Sequence, residues 1–222
     1  MSMFDIVLFD LDGTLTDSSP GILNSMRETF SFYGVEITED RLYTLIGPPI
    51  RESFAELIGA DRAADAVASY RNRYNSEGLF ENAVYPGIVE MLDHLKQHGI
   101  ALGIATSKAR TATVRILKHF GLDNYFDAVG AAADDGTHGT KEQVVREVLA
   151  LLNPDGRKTA VLVGDRLFDM EGASACGLPA IGVLWGYGSV AELQIYNPLL
   201  LANEPKEVAS FILFGDYKHV IT

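Results

Sequence analysis

Short apolar runs alternate with helical periods along most of this chain. Ile6-Val7-Leu8-Phe9 is a compact apolar run that ends in Asp10-Leu11-Asp12-Gly13. It reads as a buried parallel strand feeding a loop. Similar runs follow at Ile100–Ala105, Phe126–Gly130, Thr159–Val163 and Ala180–Leu184. Helical faces lie between them. Ile88, Met91, Leu92 and Leu95 have i, i+3, i+4, i+7 spacing, and Gly99 stops that helix. Val114, Leu117 and Phe120 mark a second face, and Val144, Val145, Val148, Leu149 and Leu152 a third. This alternation predicts an α/β fold, a doubly wound, mostly parallel sheet.

One stretch breaks the pattern. From about Pro20 to Tyr74 the periods are helical and no strand stands out. Ile22, Met26, Thr29, Phe30 and Tyr33 mark one helix, stopped by Gly34, and Ile50–Ile58 and Ala63–Tyr74 mark others. Gly47-Pro48-Pro49 separates two of them, and Asn75–Gly87 carries the chain back. The expected organisation is a Rossmann-like core of residues 1–17 and 83–222, with a helical cap domain, residues 18–82, inserted after the first strand.

Composition narrows the class. The chain has 222 residues, 47% of them hydrophobic, enough for a substantial core without staples. Its formal net charge of −12 argues against a nucleic-acid polymer or an anionic membrane surface as partner. Cys176 is the only cysteine, so no intrachain disulfide forms; its apolar surroundings suggest a small buried hydrophobe. No apolar run approaches the length of a membrane span. The expectation is a soluble cytoplasmic protein, monomer or weak dimer.

The candidate chemistry lies at strand ends, where open α/β sheets bind ligands. Asp10 and Asp12, two residues apart in extended chain, point the same way, and Gly13 permits a sharp turn. Carboxylates held together need a proton or a cation, and Mg²⁺ takes oxygen ligands and admits substrate phosphate. Gly164-Asp165 again brings a glycine and an acid to a strand end, with Asp169 four residues on. Thr106-Ser107-Lys108 follows another strand, and a hydroxyl, backbone N–H groups and a helix N-terminus there would hold an anion. Lys108 and Lys141 both remain candidates for the lysine that such a site needs. The five histidines form no metal-ligand pattern.

These residues resemble a known family. Phe9-Asp10-Leu11-Asp12-Gly13-Thr14-Leu15 is similar to the first motif of the haloacid dehalogenase superfamily. Thr106 resembles the second, Lys141 falls at the third, and Gly164-Asp165-Arg166-x-x-Asp169 resembles the fourth. Ile46-Gly47-Pro48-Pro49-Ile50-Arg51 and Trp185-Gly186-Tyr187-Gly188-Ser189 are most like its phosphoglycolate phosphatase branch. The departures are Glu142 after Lys141, where many members have proline, and Arg166, where serine or threonine is common.

The resemblance implies a phosphatase acting on a small-molecule phosphate ester, phosphoglycolate first and a nucleoside monophosphate second. Asp10 would be the nucleophile and form an aspartyl-phosphate, and Asp12 the general acid and base. Mg²⁺ would be held by Asp10, Asp12 through its backbone carbonyl, and Asp165, with Asp169 behind them. Thr106, Ser107 and Lys141 would bind the transferring phosphate. Arg51, Arg71 and Arg73 in the cap could recognise a carboxylate or second phosphate. Asp12 argues against a dehalogenase, and a cap without lysine argues against a Schiff-base phosphonatase. A sugar phosphomutase and an inactive phosphate-binding scaffold are the alternatives.

Overall fold

The computed structural model describes residues 2–46, 50–135 and 138–215. Gly47-Pro48-Pro49, part of the phosphoglycolate phosphatase-like stretch, and His219 lie outside the described residues. The chain divides into two compact units, Met1–Asp17 with Val84–Thr222, and Ser18–Ala83.

The first unit begins with β1 (Ile6–Phe9), buried at every position, as a strand covered on both faces must be. A two-residue strand, β2 (Thr16–Asp17), follows the Asp10–Leu15 loop.

The second unit is helical. It contains α1 (Ser19–Phe32), α2 (Glu39–Tyr43), α3 (Ile50–Leu57) and α4 (Ala63–Arg73), and ends in a π-helical turn at Tyr74–Gly78. Its interior is aromatic: Phe30 and Phe54 meet edge to face at 5.3 Å, and Tyr70 stacks on Tyr74 at 5.6 Å. Arg73, expected as a candidate for substrate recognition, is instead committed inside this unit. It donates to both oxygens of Glu81 at 2.6 and 2.8 Å and to Ser25 Oγ at 3.1 Å.

After β3 (Ala83–Val84), which pairs with β2 as a small second sheet, the chain builds the rest of the first unit. In order come α5 (Ile88–Gln97), β4 (Ala101–Ala109), α6 (Arg110–His119), β5 (Ala128–Ala132) and α7 (Lys141–Leu152). Then come β6 (Ala160–Gly164), α8 (Leu167–Ala175), β7 (Ala180–Val183), α9 (Val190–Gln194), β8 (Leu200–Ala202) and α10 (Pro205–Phe214). The large sheet has the order β5-β4-β1-β6-β7-β8, and every recorded pairing in it is parallel. The fold is thus α/β and Rossmann-like.

β1 is central, paired in register with β4 (Phe9 opposite Ile104) and with β6 (Phe9 opposite Val163). Strand order reverses about it, so the carboxyl ends of β1, β4 and β6 open on one crevice. Ile6 and Leu8, with Leu162, Val144, Val145 and Val148, lie in the core on one side of the sheet.

Several expectations need correction. The sheet has a sixth strand, β8, whose three residues are too few to carry a period. The buried face of α6 is Ala112, Thr113, Ile116 and Leu117, while Val114 is exposed. The helix sits one position away from the register the apolar residues suggest. Cys176 is half-buried at the edge of the core rather than inside it. No helix among the described residues is long and apolar enough to cross a membrane.

Candidate active site

Every candidate residue outside the helical unit belongs to the first unit, and most converge at the carboxyl end of β1. The ladder extends one residue past that strand, since Asp10 N–H donates to Val163 O at 3.0 Å. The loop beyond is pinned by Leu11 and Leu15, both fully buried, and by N–H donation from Leu15 and Thr16 to Leu11 O. Gly13 has φ +85°, a left-handed conformation costly for any other residue. It also lies against Asp165: a Cβ there would stand 2.3 Å from Asp165 Oδ2.

Asp10, Asp165 and Asp169 are all buried, and each presents a carboxylate oxygen within 4.8 Å of the other two. Lys141 is the first residue of α7, behind a capping box of Thr140 and Gln143. Its Nζ lies 2.7 Å from Asp10 Oδ1 and 2.7 Å from Asp169 Oδ1, and donates to Ala105 O at 2.9 Å. Lys108 goes elsewhere: its Nζ donates to Asp12 Oδ2 at 2.8 Å. The two candidate lysines are therefore separated, Lys141 on Asp10 and Lys108 on Asp12. The Asp12 side chain is not part of the three-carboxylate cluster.

Thr106 is buried at the end of β4, and Ser107 is exposed. The expected helix N-terminus is not at these residues. β4 runs on to Ala109, and α6 starts only at Arg110. The register with β5 shifts between Thr106 and Ala109, which pair with the adjacent residues Ala131 and Ala132. Ser107 and Lys108 are thereby extruded as a bulge, a device that re-aims side chains at sheet ends.

The sequence leaves the Trp185–Gly188 loop open between bordering the pocket and being held by aromatic packing. Trp185–Ser189 folds back over the acids. Tyr187 N–H donates to Asp165 Oδ2 at 2.8 Å, and Thr14 Oγ1 donates to Asp165 Oδ1 at 3.1 Å. Trp185 Nε1 donates to Thr14 O at 2.9 Å, and Tyr187 Oη to Asp17 Oδ1 at 3.1 Å. Gly186 packs so closely that a Cβ would lie 2.4 Å from Asp165 Cβ. Arg166, the unusual residue of the fourth motif, donates from Nε to Glu192 Oε1 at 2.8 Å and leaves its backbone N–H on Asp169 Oδ2 at 2.9 Å. Arg51 and Arg71 are both exposed on the helical unit.

Electrostatics follow from burial. Loss of water, reinforced by Asp169 and Asp12, pushes Asp10 up to about 6 against the opposing pull of Lys141. Burial, with Asp169 and Asp10 nearby, likewise holds Asp165 well above the carboxylate range. Burial would lower Lys141, but Asp10 and Asp169 more than offset it and keep it charged. Fully ionised, the three carboxylates would carry two negative charges more than the one ammonium offsets, a state that burial resists. An all-oxygen donor set with that excess fits one hard divalent cation, which would relieve the repulsion.

Comparison with known proteins agrees with this arrangement. Residues 7–183 match the family described as haloacid dehalogenase-like hydrolase. A tyrosine-protein kinase PtkA of Mycobacterium tuberculosis is 40% identical over 184 residues, 82% of this chain; the chain spans 63% of that protein's length. A 5′-nucleotidase of Pseudomonas aeruginosa is 40% identical over 197 residues, 86% of this chain and 88% of that one. The crystal structure of a predicted phosphatase from Clostridium acetobutylicum superposes with a TM-score of 0.85 at 38% identity, covering 95% of this chain and 99% of that chain. On the extent of these matches and the acid–lysine cluster at the end of β1, the chain belongs to the haloacid dehalogenase-like hydrolase family.

Proposed function

We propose that this chain is a Mg²⁺-dependent phosphatase of small phosphate esters that works through an aspartyl-phosphate on Asp10. The observation that carries the reading is the buried contact of Lys141 with Asp10 inside the three-carboxylate cluster. It supplies a nucleophile, a fixed positive charge for the transferring oxygens, and a cation site in one place.

In the first step a carboxylate oxygen of Asp10 bonds to phosphorus as the bond to the leaving oxygen breaks. Asp12 delivers its proton to that oxygen. In the second, Asp12 takes a proton from water, the resulting hydroxide attacks phosphorus, and the aspartyl P–O bond breaks to release phosphate. Lys141 and Thr106, with the Ser107 backbone, bind the phosphoryl oxygens and stabilise charge developing on them. Asp10, Asp165 and the Asp12 backbone carbonyl would hold Mg²⁺, with Asp169 orienting them. When bound, the cation neutralises phosphate charge and aligns the ester with the nucleophile.

The Ser18–Ala83 unit acts as the cap and supplies leaving-group recognition, with Arg51 and Arg71 as candidates for a carboxylate or second phosphate. Nucleoside monophosphates rank ahead of phosphoglycolate as substrates, because the 5′-nucleotidase relative matches at 40% identity along most of both chains. The test is phosphate release from nucleoside monophosphates, phosphoglycolate, sugar phosphates and an aryl phosphate, with Mg²⁺ and with chelator. Metal-dependent release concentrated on nucleoside monophosphates is the expected result. Release from none of them overturns the reading.

A further inference from the structure

Asp12 is held by one oxygen only. Its Oδ2 accepts from Lys108 Nζ at 2.8 Å, and the Lys108 side chain is only 9% exposed. Its Oδ1 is buried and has no hydrogen-bond partner among the described residues. A buried, bare acceptor beside a fixed one is unusual, since buried polar atoms are nearly always paired. The bulge explains how the lysine arrives. The register slip after Thr106 takes Ser107 and Lys108 out of the regular ladder.

We propose that Lys108 is a positioning residue for Asp12: it clamps Oδ2 so that Oδ1 is the atom presented to the leaving oxygen. This rests on Asp12 being the general acid and base. Lys108 itself forms and breaks no bond. The proton that the leaving oxygen gains comes from Asp12 Oδ1, and the electron pair of the broken P–O bond stays on that oxygen. The assignment gives the two lysines separate work. Lys141 acts on the phosphoryl group, whatever the leaving group, whereas Lys108 matters in proportion to the leaving group's need for a proton.

That difference is measurable. An aryl phosphate expels a phenolate that departs without protonation, whereas a nucleoside 5′-monophosphate expels an alkoxide that needs it. The ratio kcat/KM reports only the steps up to leaving-group departure, so the later attack of water does not enter. Lys108→Met is expected to lower kcat/KM for the nucleotide by about 100-fold or more, the usual worth of a positioned general acid. The aryl ester should lose less than about 10-fold. In the Asp12→Asn background the same substitution should leave the ratio between the two esters unchanged.

Equal losses on both esters, a pattern of direct phosphate binding, would overturn the proposal, and so would no loss on either. Thermal melting checks folding; if Lys108→Met does not fold, Lys108→Gln, which keeps a donor without the charge, must show the same selective loss. A wild-type chain inactive on both esters with Mg²⁺ would instead overturn the hydrolase reading itself.

Discussion

Lys141 Nζ stands 2.7 Å from Asp10 Oδ1, although 131 positions separate the two residues in the chain. The contact joins the end of β1 to the start of α7 in a place almost without water. Removing the ammonium leaves three buried carboxylates facing one another. Lys141→Ala should therefore lower kcat by roughly 10²–10³-fold, the usual effect of losing one preorganised donor. It should also destabilise the metal-free fold by about 3–5 kcal/mol at neutral pH, as breaking a buried pair does. Steady-state kinetics and chemical denaturation with chelator check both. Asp10→Asn should keep the fold and abolish turnover, and retained turnover would exclude it as nucleophile.

The crowding of three carboxylates predicts how the metal affects stability. A cation that binds only the folded chain adds about 2.7 kcal/mol at a hundred times its Kd. Melting temperature should rise with Mg²⁺ and fall with chelator. Asp165→Asn should cut that rise sharply, because it removes one of the three carboxylates that the cation would neutralise. An unchanged Mg²⁺ response in this variant would take Asp165 out of the metal site.

Gly172 offers a test of close packing. It lies inside α8, where alanine would ordinarily stabilise a helix by about 1 kcal/mol. A Cβ at this position would meet Lys141 Cγ at 2.4 Å. Gly172→Ala should therefore lower both stability and kcat, the second by displacing the ammonium from Asp10. A stabilised, fully active variant would show that Lys141 has room to move.

The helical unit has its own pH dependence. Hydrogen bonds from Arg73 hold Glu81 below the ordinary carboxylate value, though its burial acts the other way. The unfolded chain then binds a proton more readily than the folded one. The pair's contribution is complete above the unfolded value of about 4.3 and is lost as pH falls through the lower folded value. Glu81→Gln should flatten the acid limb of the stability curve and leave the neutral-to-basic limb unchanged in slope. Denaturant melts from pH 7 down to about 3 would read this.

What could be read from the sequence follows from how each feature is encoded. The strands of the parallel core announce themselves because both faces are buried and the runs are apolar throughout, as at Ile6–Phe9 and Ala160–Gly164. The acids are legible because a strand, a glycine and a carboxylate recur together. The division of labour between Lys141 and Lys108 is not, since both follow a short polar stretch and only the tertiary fold sends one to Asp10 and the other to Asp12. The bulge at Ser107–Lys108 has no signature of its own: a register slip depends on the neighbouring strand. Trp185–Gly188 drew notice only by likeness, and its role depends on a hydrogen bond from Tyr187 to an acid 22 positions away. Gly172 carried a signal that could have been used, as a glycine inside a helix marks a place where something else comes close.

Gly13 and Gly186 both lie against Asp165, each near enough that a methyl group would collide with it. Close backbone therefore fixes much of the carboxylate's place, alongside the Tyr187 N–H and the Thr14 hydroxyl. Residues with no reactive group of their own should then be among the least replaceable in the molecule. A saturation scan scored for activity should find the two glycines as intolerant as the acid they touch, while exposed Ser107 accepts many substitutes.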